Sequence, residues 1–176
     1  MNSAIFLDRD GTINEDVGDL FALDKLRFIP GALEGLRMLQ EKYRLFIITN
    51  QPGIGRGVAT EKQYLNFQDE YEGELKKDGI NIALTLHCPH RKEEVCECRK
   101  PSPYFIRSLE KNYALDLKRS YVIGDHPSDM VMGQNIGAHT VYVLTGHGAD
   151  HRNDLKTPPD HIAKDLKEAA EWIVGR

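Results

Sequence analysis

Short apolar runs alternate with segments of helical periodicity along this chain. Five runs are rich in apolar and β-branched residues, as buried strands are: 4–7, 45–48, 80–86, 121–123 and 140–144. Apolar side chains at every third or fourth position predict helices over 31–43, 60–78, 102–113 and 128–136. Residues 145–160 are polar and predict a long loop, and the spacing from Ile162 to Ile173 predicts a closing helix. Strands that alternate with helices favour an α/β fold, in which a mostly parallel sheet lies between two layers of helices.

Length and composition narrow this prediction. The 176 residues suffice for one domain and leave no spare block for a second, so we expect residues 1–176 to form a single domain. The net charge of −4 provides no basic field for nucleic acid. The sequence contains no apolar run near the roughly 20 residues of a membrane span and no signal-peptide pattern at its start. We therefore expect a cytoplasmic monomer that binds neither nucleic acid nor membranes.

Three predicted strands end in polar residues that can do chemistry. Asp8-Arg9-Asp10-Gly11-Thr12 follows the first strand, Thr49-Asn50-Gln51 ends the second, and Gly124-Asp125 opens a polar stretch after the fourth. The carboxyl ends of parallel strands meet at one edge of a sheet, so we expect Asp8, Asp10 and Asp125 to lie close together. Crowded carboxylates need a cation, and a set of oxygen donors favours Mg²⁺. Each motif alone also fits a turn or a helix cap, but their joint occurrence at strand ends indicates an active site.

The three cysteines of the chain fall within residues 88–98, together with histidines. Cys88, Cys96 and Cys98 with one imidazole, from His90 or from the adjacent His87, would complete a tetrahedral zinc set. Four protein ligands predict a structural zinc ion rather than a catalytic one. Free cysteines buried in a loop are the alternative.

Several of these motifs resemble those of the haloacid-dehalogenase-like (HAD) phosphohydrolases. The matching positions are the segment 8–12, Thr49, Lys100, and Gly124-Asp125 with Asp129. TNQPGIGRG, CPH…CECRKP and YVIGD resemble the branch that contains the heptose-bisphosphate and histidinol-phosphate phosphatases, and the resemblance covers nearly the whole chain. It implies a Rossmann-like three-layer α/β/α sandwich without a cap domain and with a zinc loop over 87–101. In that loop Cys88, His90, Cys96 and Cys98 are the implied ligands.

The resemblance implies Mg²⁺-dependent hydrolysis of a phosphomonoester. Asp8 would attack phosphorus and form an aspartyl-phosphate, and Asp10 would protonate the leaving oxygen and then activate water. Thr49 and Lys100 would hold the phosphoryl oxygens. The implied Mg²⁺ ligands are Asp8, the backbone carbonyl of Asp10, and Asp125. Asp129 is expected to support this site without binding the metal directly.

For the substrate, the resemblance implies a small sugar phosphate, first the 7-phosphate of a heptose 1,7-bisphosphate used in nucleotide-heptose synthesis. The implied substrate-binding residues are Asp16, Val17, Gly18, Asp19, Asn50, Gln51, Pro52 and Arg99. Arg99 could bind a second anionic group through bidentate hydrogen bonds.

Two alternatives to a heptose-bisphosphate phosphatase stay open: another substrate, and another class of protein. The five-residue spacer in the zinc loop and His126-Pro127 in the fourth motif depart from the heptose enzymes, which keeps histidinol phosphate as the second candidate. Receiver domains of response regulators also combine a parallel sheet with an acidic pair, a Thr and a Lys. However, their phosphorylated Asp follows the third strand, where this chain has its cysteine cluster.

Overall fold

In a computed structural model of the protein, which describes residues 2–176, six strands form one sheet. They are β1 (Ala4–Leu7), β2 (Arg44–Asn50), β3 (Ile82–Cys88), β4 (Tyr121–Gly124), β5 (His139–Val143) and β6 (His161–Ala163). The strand order is β3-β2-β1-β4-β5-β6, and every neighbouring pair is parallel. The chain winds outward from β1 to β3 and then returns to β4. The switch point of the topology, where α/β proteins bind ligands, therefore lies between β1 and β4.

The longer helices lie where the periodicity predicts them. They are α1 (Ala32–Gln40), α2 (Pro52–Gly55), α3 (Glu61–Lys77), α4 (Tyr104–Tyr113), α5 (Pro127–Gln134), α6 (Gly148–His151) and α7 (Leu166–Val174). A capping box starts α3: the Thr60 hydroxyl accepts from the Gln63 N–H, and the Gln63 side chain accepts from the Thr60 N–H. None of the helices among residues 2–176 is long and apolar enough to cross a membrane.

Two apolar layers cover the faces of the sheet. Alternate residues of a strand point to opposite faces, so Ile5 and Leu7 pack with α1, α3 and α7, whereas Phe6 packs on the other face with α4 and α5. On the second face Ile106 of α4 and Met132 of α5 belong to the same buried cluster. The predicted three-layer α/β/α sandwich is confirmed.

The structure differs from the predicted elements in three places. Residues 161–163 form β6, where a helix was predicted, because Val141–Val143 of β5 provides an edge for these three residues to pair with. Two short helices were not predicted: α2 lies in a segment without a prediction, and α6 lies in the segment 145–160 that was predicted to be a loop. The third strand spans 82–88 rather than 80–86, since it continues to pair with β2 as far as Asn50 and Cys88.

Candidate active site

A buried lysine lies between two carboxylates at the switch point. The Asp8 N–H donates to the carbonyl of Ile123 (2.9 Å), so the end of β1 is held against β4. Lys100 Nζ lies 2.8 Å from Asp8 Oδ1 and 2.7 Å from Asp129 Oδ1, and only 4% of its side chain is exposed. Burial alone would lower the pKa of Lys100, but the charges of Asp129 and Asp8 outweigh burial and raise it. The lysine is therefore a fixed positive charge beside Asp8.

Three carboxylates crowd the same place. Asp8, Asp125 and Asp129 each have a carboxylate oxygen within 4.8 Å of a carboxylate oxygen of the other two. Burial raises the pKa of Asp8 well above its ordinary value, and although Lys100 opposes this effect, Asp129 and Asp125 add to it. Burial and the Asp129 charge raise the pKa of Asp125 to about 6. One lysine cannot neutralise three carboxylates, so this set of oxygen donors fits a divalent cation.

Two glycines allow the loops after β1 and β5 to approach Asp125 closely. Gly11 has φ = +84°, and a Cβ there would lie 2.2 Å from Asp125 Oδ2. Gly146 has φ = +54°, and its Cβ would lie 2.3 Å from the same oxygen. The Thr145 hydroxyl donates to the Gly11 carbonyl (2.6 Å), and the His147 N–H donates to Asp125 Oδ2 (2.8 Å). The loops after β1 and β5 therefore fix the orientation of Asp125 together.

Asp10 lies beside this cluster and has its own partners. Its carboxylate accepts from Arg9, from Asn14 Nδ2 (2.9 Å) and from Gln51 Nε2 (2.8 Å). The same Gln51 amide donates to the Thr49 hydroxyl at 2.9 Å. The structure therefore places Asp10 and Thr49 within one hydrogen-bonded group. The Asp10 carboxylate is not one of the three carboxylates that lie together and could hold a cation.

The cysteine cluster forms at the end of β3. Cys88 Sγ lies 3.6 Å from His90 Nδ1, 3.7 Å from Cys96 Sγ and 3.0 Å from Cys98 Sγ. A tetrahedral zinc ion with Zn–S bonds of about 2.3 Å separates its ligand atoms by roughly 3.5–3.8 Å. The distances from Cys88 to His90 and to Cys96 match this geometry, whereas Cys98 Sγ lies closer to Cys88 (3.0 Å) and to His90 (3.3 Å). All four ligand atoms lie within 4.8 Å of one another, so they form a group that could hold one metal ion. His87 is not part of this group; its ring packs at a tilt against Tyr64, and its Nε2 lies 3.3 Å from Glu61 Oε1.

The cysteine loop is attached to the active-site segments through the backbone. The Gln51 N–H donates to the Cys88 carbonyl, and the Gly55 N–H donates to the Pro89 carbonyl (both 2.8 Å). The Lys100 N–H donates to Asn50 Oδ1 at 3.2 Å. The cysteine loop thus supports both the segment that follows β2 and the lysine beside Asp8.

A cleft of about 540 Å³ opens over these groups. Its lining contains most residues predicted to bind substrate: Asp16, Gly18, Asp19, Asn50, Gln51, Pro52 and Arg99. Val17 does not line the cleft; it is 46% exposed on the surface of the same loop. Five other lining residues were not predicted from the sequence, namely Arg56, Lys92, Pro101, Ser128 and His147. They come from loops and helix starts, where no periodic signal marks a side chain that faces a ligand.

A strand-end aspartate pair, a lysine against its first member and further acidic residues after β4 define a hydrolase of the HAD-like class. Residues 97–169 match the HAD-hydrolase-like family model. The D-glycero-beta-D-manno-heptose-1,7-bisphosphate 7-phosphatase of Helicobacter pylori is 39% identical over 175 residues, which are 98% of this chain and 97% of that protein. The corresponding alpha-specific enzyme of Photorhabdus laumondii is 38% identical over 151 residues, which are 81% of this chain and 82% of that one.

Structural similarity agrees with these relatives. The crystal structure of D,D-heptose 1,7-bisphosphate phosphatase from B. bronchiseptica, complexed with magnesium and phosphate, has a TM-score of 0.90 and 28% identity and covers 98% of both chains. The chain belongs to the heptose-1,7-bisphosphate 7-phosphatase family of the HAD-like hydrolases. It is a phosphomonoester hydrolase, and its family implies a divalent metal.

Proposed function

We propose that this enzyme removes the 7-phosphate from D-glycero-D-manno-heptose 1,7-bisphosphate, acting as a monomer. One observation supports the chemistry above all: Lys100 Nζ lies 2.8 Å from the Asp8 carboxylate at the bottom of the cleft. A phosphoryl group in line with Asp8 therefore has its oxygens beside a buried positive charge. The names of the relatives support the sugar, and the alpha and beta enzymes among them match this chain about equally well.

In the first half of the reaction, an Asp8 oxygen forms a bond to phosphorus while the bond from phosphorus to the sugar oxygen breaks. Asp10 gives its proton to the departing alkoxide. The ammonium of Lys100 and the hydroxyl of Thr49 hold the phosphoryl oxygens during the transfer.

In the second half, Asp10 accepts a proton from water as the water oxygen bonds to phosphorus. The bond from phosphorus to Asp8 then breaks, which releases phosphate and restores the free carboxylate.

Two metals complete this proposal. Asp8, the backbone carbonyl of Asp10 and Asp125 would hold Mg²⁺, which offsets the repulsion between the anionic nucleophile and the anionic substrate when it is bound. Asp129 would act by orienting Lys100, to which it is hydrogen-bonded. Cys88, His90, Cys96 and Cys98 would hold a structural Zn²⁺, and through it the segment that leads to Arg99 and Lys100.

The second phosphate of the substrate fits the basic part of the cleft. Arg99, Lys92 and Arg56 line it in addition to Lys100. Arg56 is paired with Asp19 (2.7 Å), whereas Arg99 donates to the backbone carbonyl of His90 and has no acidic partner among residues 2–176. Arg99 is therefore the side chain best placed to supply charge for the 1-phosphate.

Phosphate release from a panel of substrates tests this function. We expect kcat/KM for a heptose 1,7-bisphosphate to exceed that for histidinol phosphate and fructose 1,6-bisphosphate by at least about 10²-fold, and only with Mg²⁺ present. Preference for histidinol phosphate would instead establish the second candidate.

An Arg99→Met variant tests the assignment of the second phosphate. It should reduce the preference for the 1,7-bisphosphate over the 7-monophosphate, whereas Arg91→Met, at an exposed zinc-loop arginine outside the cleft, should not. Zinc content is measured in parallel. An unchanged zinc content with a reduced preference indicates loss of the anion contact, whereas a reduced zinc content indicates that the zinc loop has been disturbed.

A further inference from the structure

Arg9, the residue between the two proposed catalytic aspartates, is completely buried. Its guanidinium carbon lies 5.8, 5.4 and 5.6 Å from the ring centroids of Tyr64, Phe67 and Tyr71. These three rings belong to α3 and form a cage of π faces around the charge. Removing a charge from water is unfavourable by several kcal/mol, so a buried arginine needs partners that compensate for it.

The partners of Arg9 are Asp10 and one amide. Arg9 Nη2 and Nε donate to both carboxylate oxygens of Asp10 at 2.9–3.2 Å. Arg9 Nη1 donates to Gln68 Oε1 (3.3 Å), which also accepts from the Tyr64 hydroxyl (3.2 Å). The other end of the Gln68 amide donates to Glu72 and to Thr85, at 3.2 Å each, so the amide has one favourable orientation.

A second chain of hydrogen bonds connects the aromatic cage to Asp10. The Tyr71 hydroxyl donates to Asn14 Oδ1 (3.2 Å), and Asn14 Nδ2 donates to Asp10 Oδ1 (2.9 Å). Helix α3 thus fixes the Asp10 carboxylate through a guanidinium on one side and through an amide on the other. Arg9 itself has no exposed surface and does not line the cleft.

We propose that Arg9 is a positioning residue, which α3 holds so that the Asp10 carboxylate is aimed at the leaving-group oxygen. This inference rests on the proposed role of Asp10 as the proton donor. Because Arg9 does not reach the cleft, it acts on the reaction only through Asp10.

Dependence on the leaving group distinguishes this role from a structural one. An alkoxide must be protonated as it departs, whereas p-nitrophenolate is a weak base and leaves without help. The kinetic constant to compare is kcat/KM, since it reports the steps up to release of the alcohol and is not masked by hydrolysis of the phosphoenzyme. A positioning residue for the acid should matter for a sugar phosphate and hardly at all for p-nitrophenyl phosphate.

The experiment compares Arg9→Met, Arg9→Lys and Gln68→Met on both substrates, with Asp10→Asn as the reference. For Arg9→Met we expect kcat/KM on the sugar phosphate to fall about 10²-fold and on p-nitrophenyl phosphate at most about 3-fold. Arg9→Lys should recover part of the loss, since it keeps the charge but cannot bind both oxygens in the plane of the carboxylate. Gln68→Met leaves the guanidinium in place, so kcat/KM on the sugar phosphate should fall less, by about 5-fold. As with Arg9→Met, p-nitrophenyl phosphate should be affected less than the sugar phosphate. Arg44→Met, at an arginine stacked on Tyr113, is the matched control and should change neither substrate.

Equal losses on the two substrates, or an undiminished rate on the sugar phosphate, would overturn the inference. If Arg9→Met does not fold, Arg9→Lys and Gln68→Met provide the same comparison. The Asp10→Asn variant distinguishes a failure of the proposed role of Asp10 from a failure of the proposed role of Arg9. If Asp10→Asn shows no dependence on the leaving group, the proposed role of Asp10 fails; if it does and the Arg9 and Gln68 variants do not, only the role of Arg9 fails.

Discussion

Asp8 and Asp10 are two residues apart and have different surroundings. Asp8 faces Lys100 and the carboxylates of Asp125 and Asp129, whereas Asp10 faces Arg9 and two amides. The chain turns sharply between them, since the N–H groups of residues 12–14 all donate to the Arg9 carbonyl. Two carboxylates in unlike environments can take unlike roles, as the proposed roles of nucleophile for Asp8 and proton carrier for Asp10 require.

At the residue scale, Gly11→Ala tests the close approach of the first loop to Asp125. The added Cβ would overlap Asp125 Oδ2, and displacement of that carboxylate should lower kcat by at least about 10²-fold. Gly79→Ala is the matched control, because Gly79 also has positive φ but has no atom within 4 Å of the new Cβ. It should lose only about 1 kcal/mol of stability. Normal turnover by Gly11→Ala would show that this approach does not matter.

Lys100→Met tests the charge balance of the site. It leaves the carboxylates of Asp8 and Asp129 without their buried partner, so we expect the metal-free protein to lose about 3–5 kcal/mol of unfolding free energy. Turnover should fall about 10²–10³-fold because a positive charge near the phosphoryl oxygens is lost. Chemical denaturation and phosphate release measure the two effects. The exposed Lys77→Met should change stability by less than about 0.5 kcal/mol, and a similar value for Lys100→Met would contradict the argument.

At the element scale, the strands that position the site were predictable and the loops around it were not. The strands β1, β2 and β4 are short uninterrupted apolar runs, and the polar residues at their ends mark the active-site edge. The strand β6 has only three residues and becomes a strand because β5 pairs with it. Arg56 and His147 reach the cleft through loops whose course depends on tertiary contacts, and Val17 shares a loop with cleft residues but points outward. Such side-chain directions are not encoded in local periodicity.

Cys96→Ser tests the link between the cysteine loop and the lysine that follows it. Loss of one thiolate should reduce the zinc content measured by elemental analysis. The loop that leads to Lys100 would then be less well fixed, so we expect KM to rise or kcat to fall while the Mg²⁺ dependence is unchanged. Wild-type protein purified without chelator and found free of zinc would contradict the assignment.

At the scale of the whole molecule, the fold brings like charges together, and a divalent metal is proposed to compensate for them. Strands β1 and β4 are distant in the chain but adjacent in the sheet, which is why Asp8 and Asp125 meet. Burial of these carboxylates opposes folding when they are ionised. The same crowding creates the affinity for a cation, so stability and cation binding are coupled.

This coupling predicts how stability depends on pH. The pKa of Asp125 is raised to about 6 in the folded protein by burial and by Asp129, above the ordinary value it has in the unfolded chain. The folded state therefore binds the proton of Asp125 more tightly than the unfolded state does. The stability that this proton binding contributes is lost as pH rises through about 6. We expect the metal-free protein to be more stable at about pH 5 than at about pH 8, with this group contributing about 1.4 kcal/mol to the difference.

Magnesium should act in the opposite pH range, since the ion takes the place of the proton. Its effect on Tm should be larger at about pH 8 than at about pH 5. Thermal unfolding with and without Mg²⁺ measures both trends, and Asp125→Asn should weaken both. A Tm shift by Mg²⁺ that does not depend on pH would contradict a carboxylate site for the ion.

The central claim is that phosphate is transferred to Asp8. It is tested by mixing Asp10→Asn with Mg²⁺ and p-nitrophenyl phosphate, whose leaving group needs no proton from Asp10. The reaction is quenched in acid and phosphate is located on the peptides by mass spectrometry, with Asp8→Asn treated in parallel. We expect acid-stable phosphate on Asp8 that accumulates because water is no longer deprotonated. We expect none in Asp8→Asn, which should keep its fold but lose at least about 10³-fold in turnover. Phosphate on another residue, or normal turnover by Asp8→Asn, would contradict it.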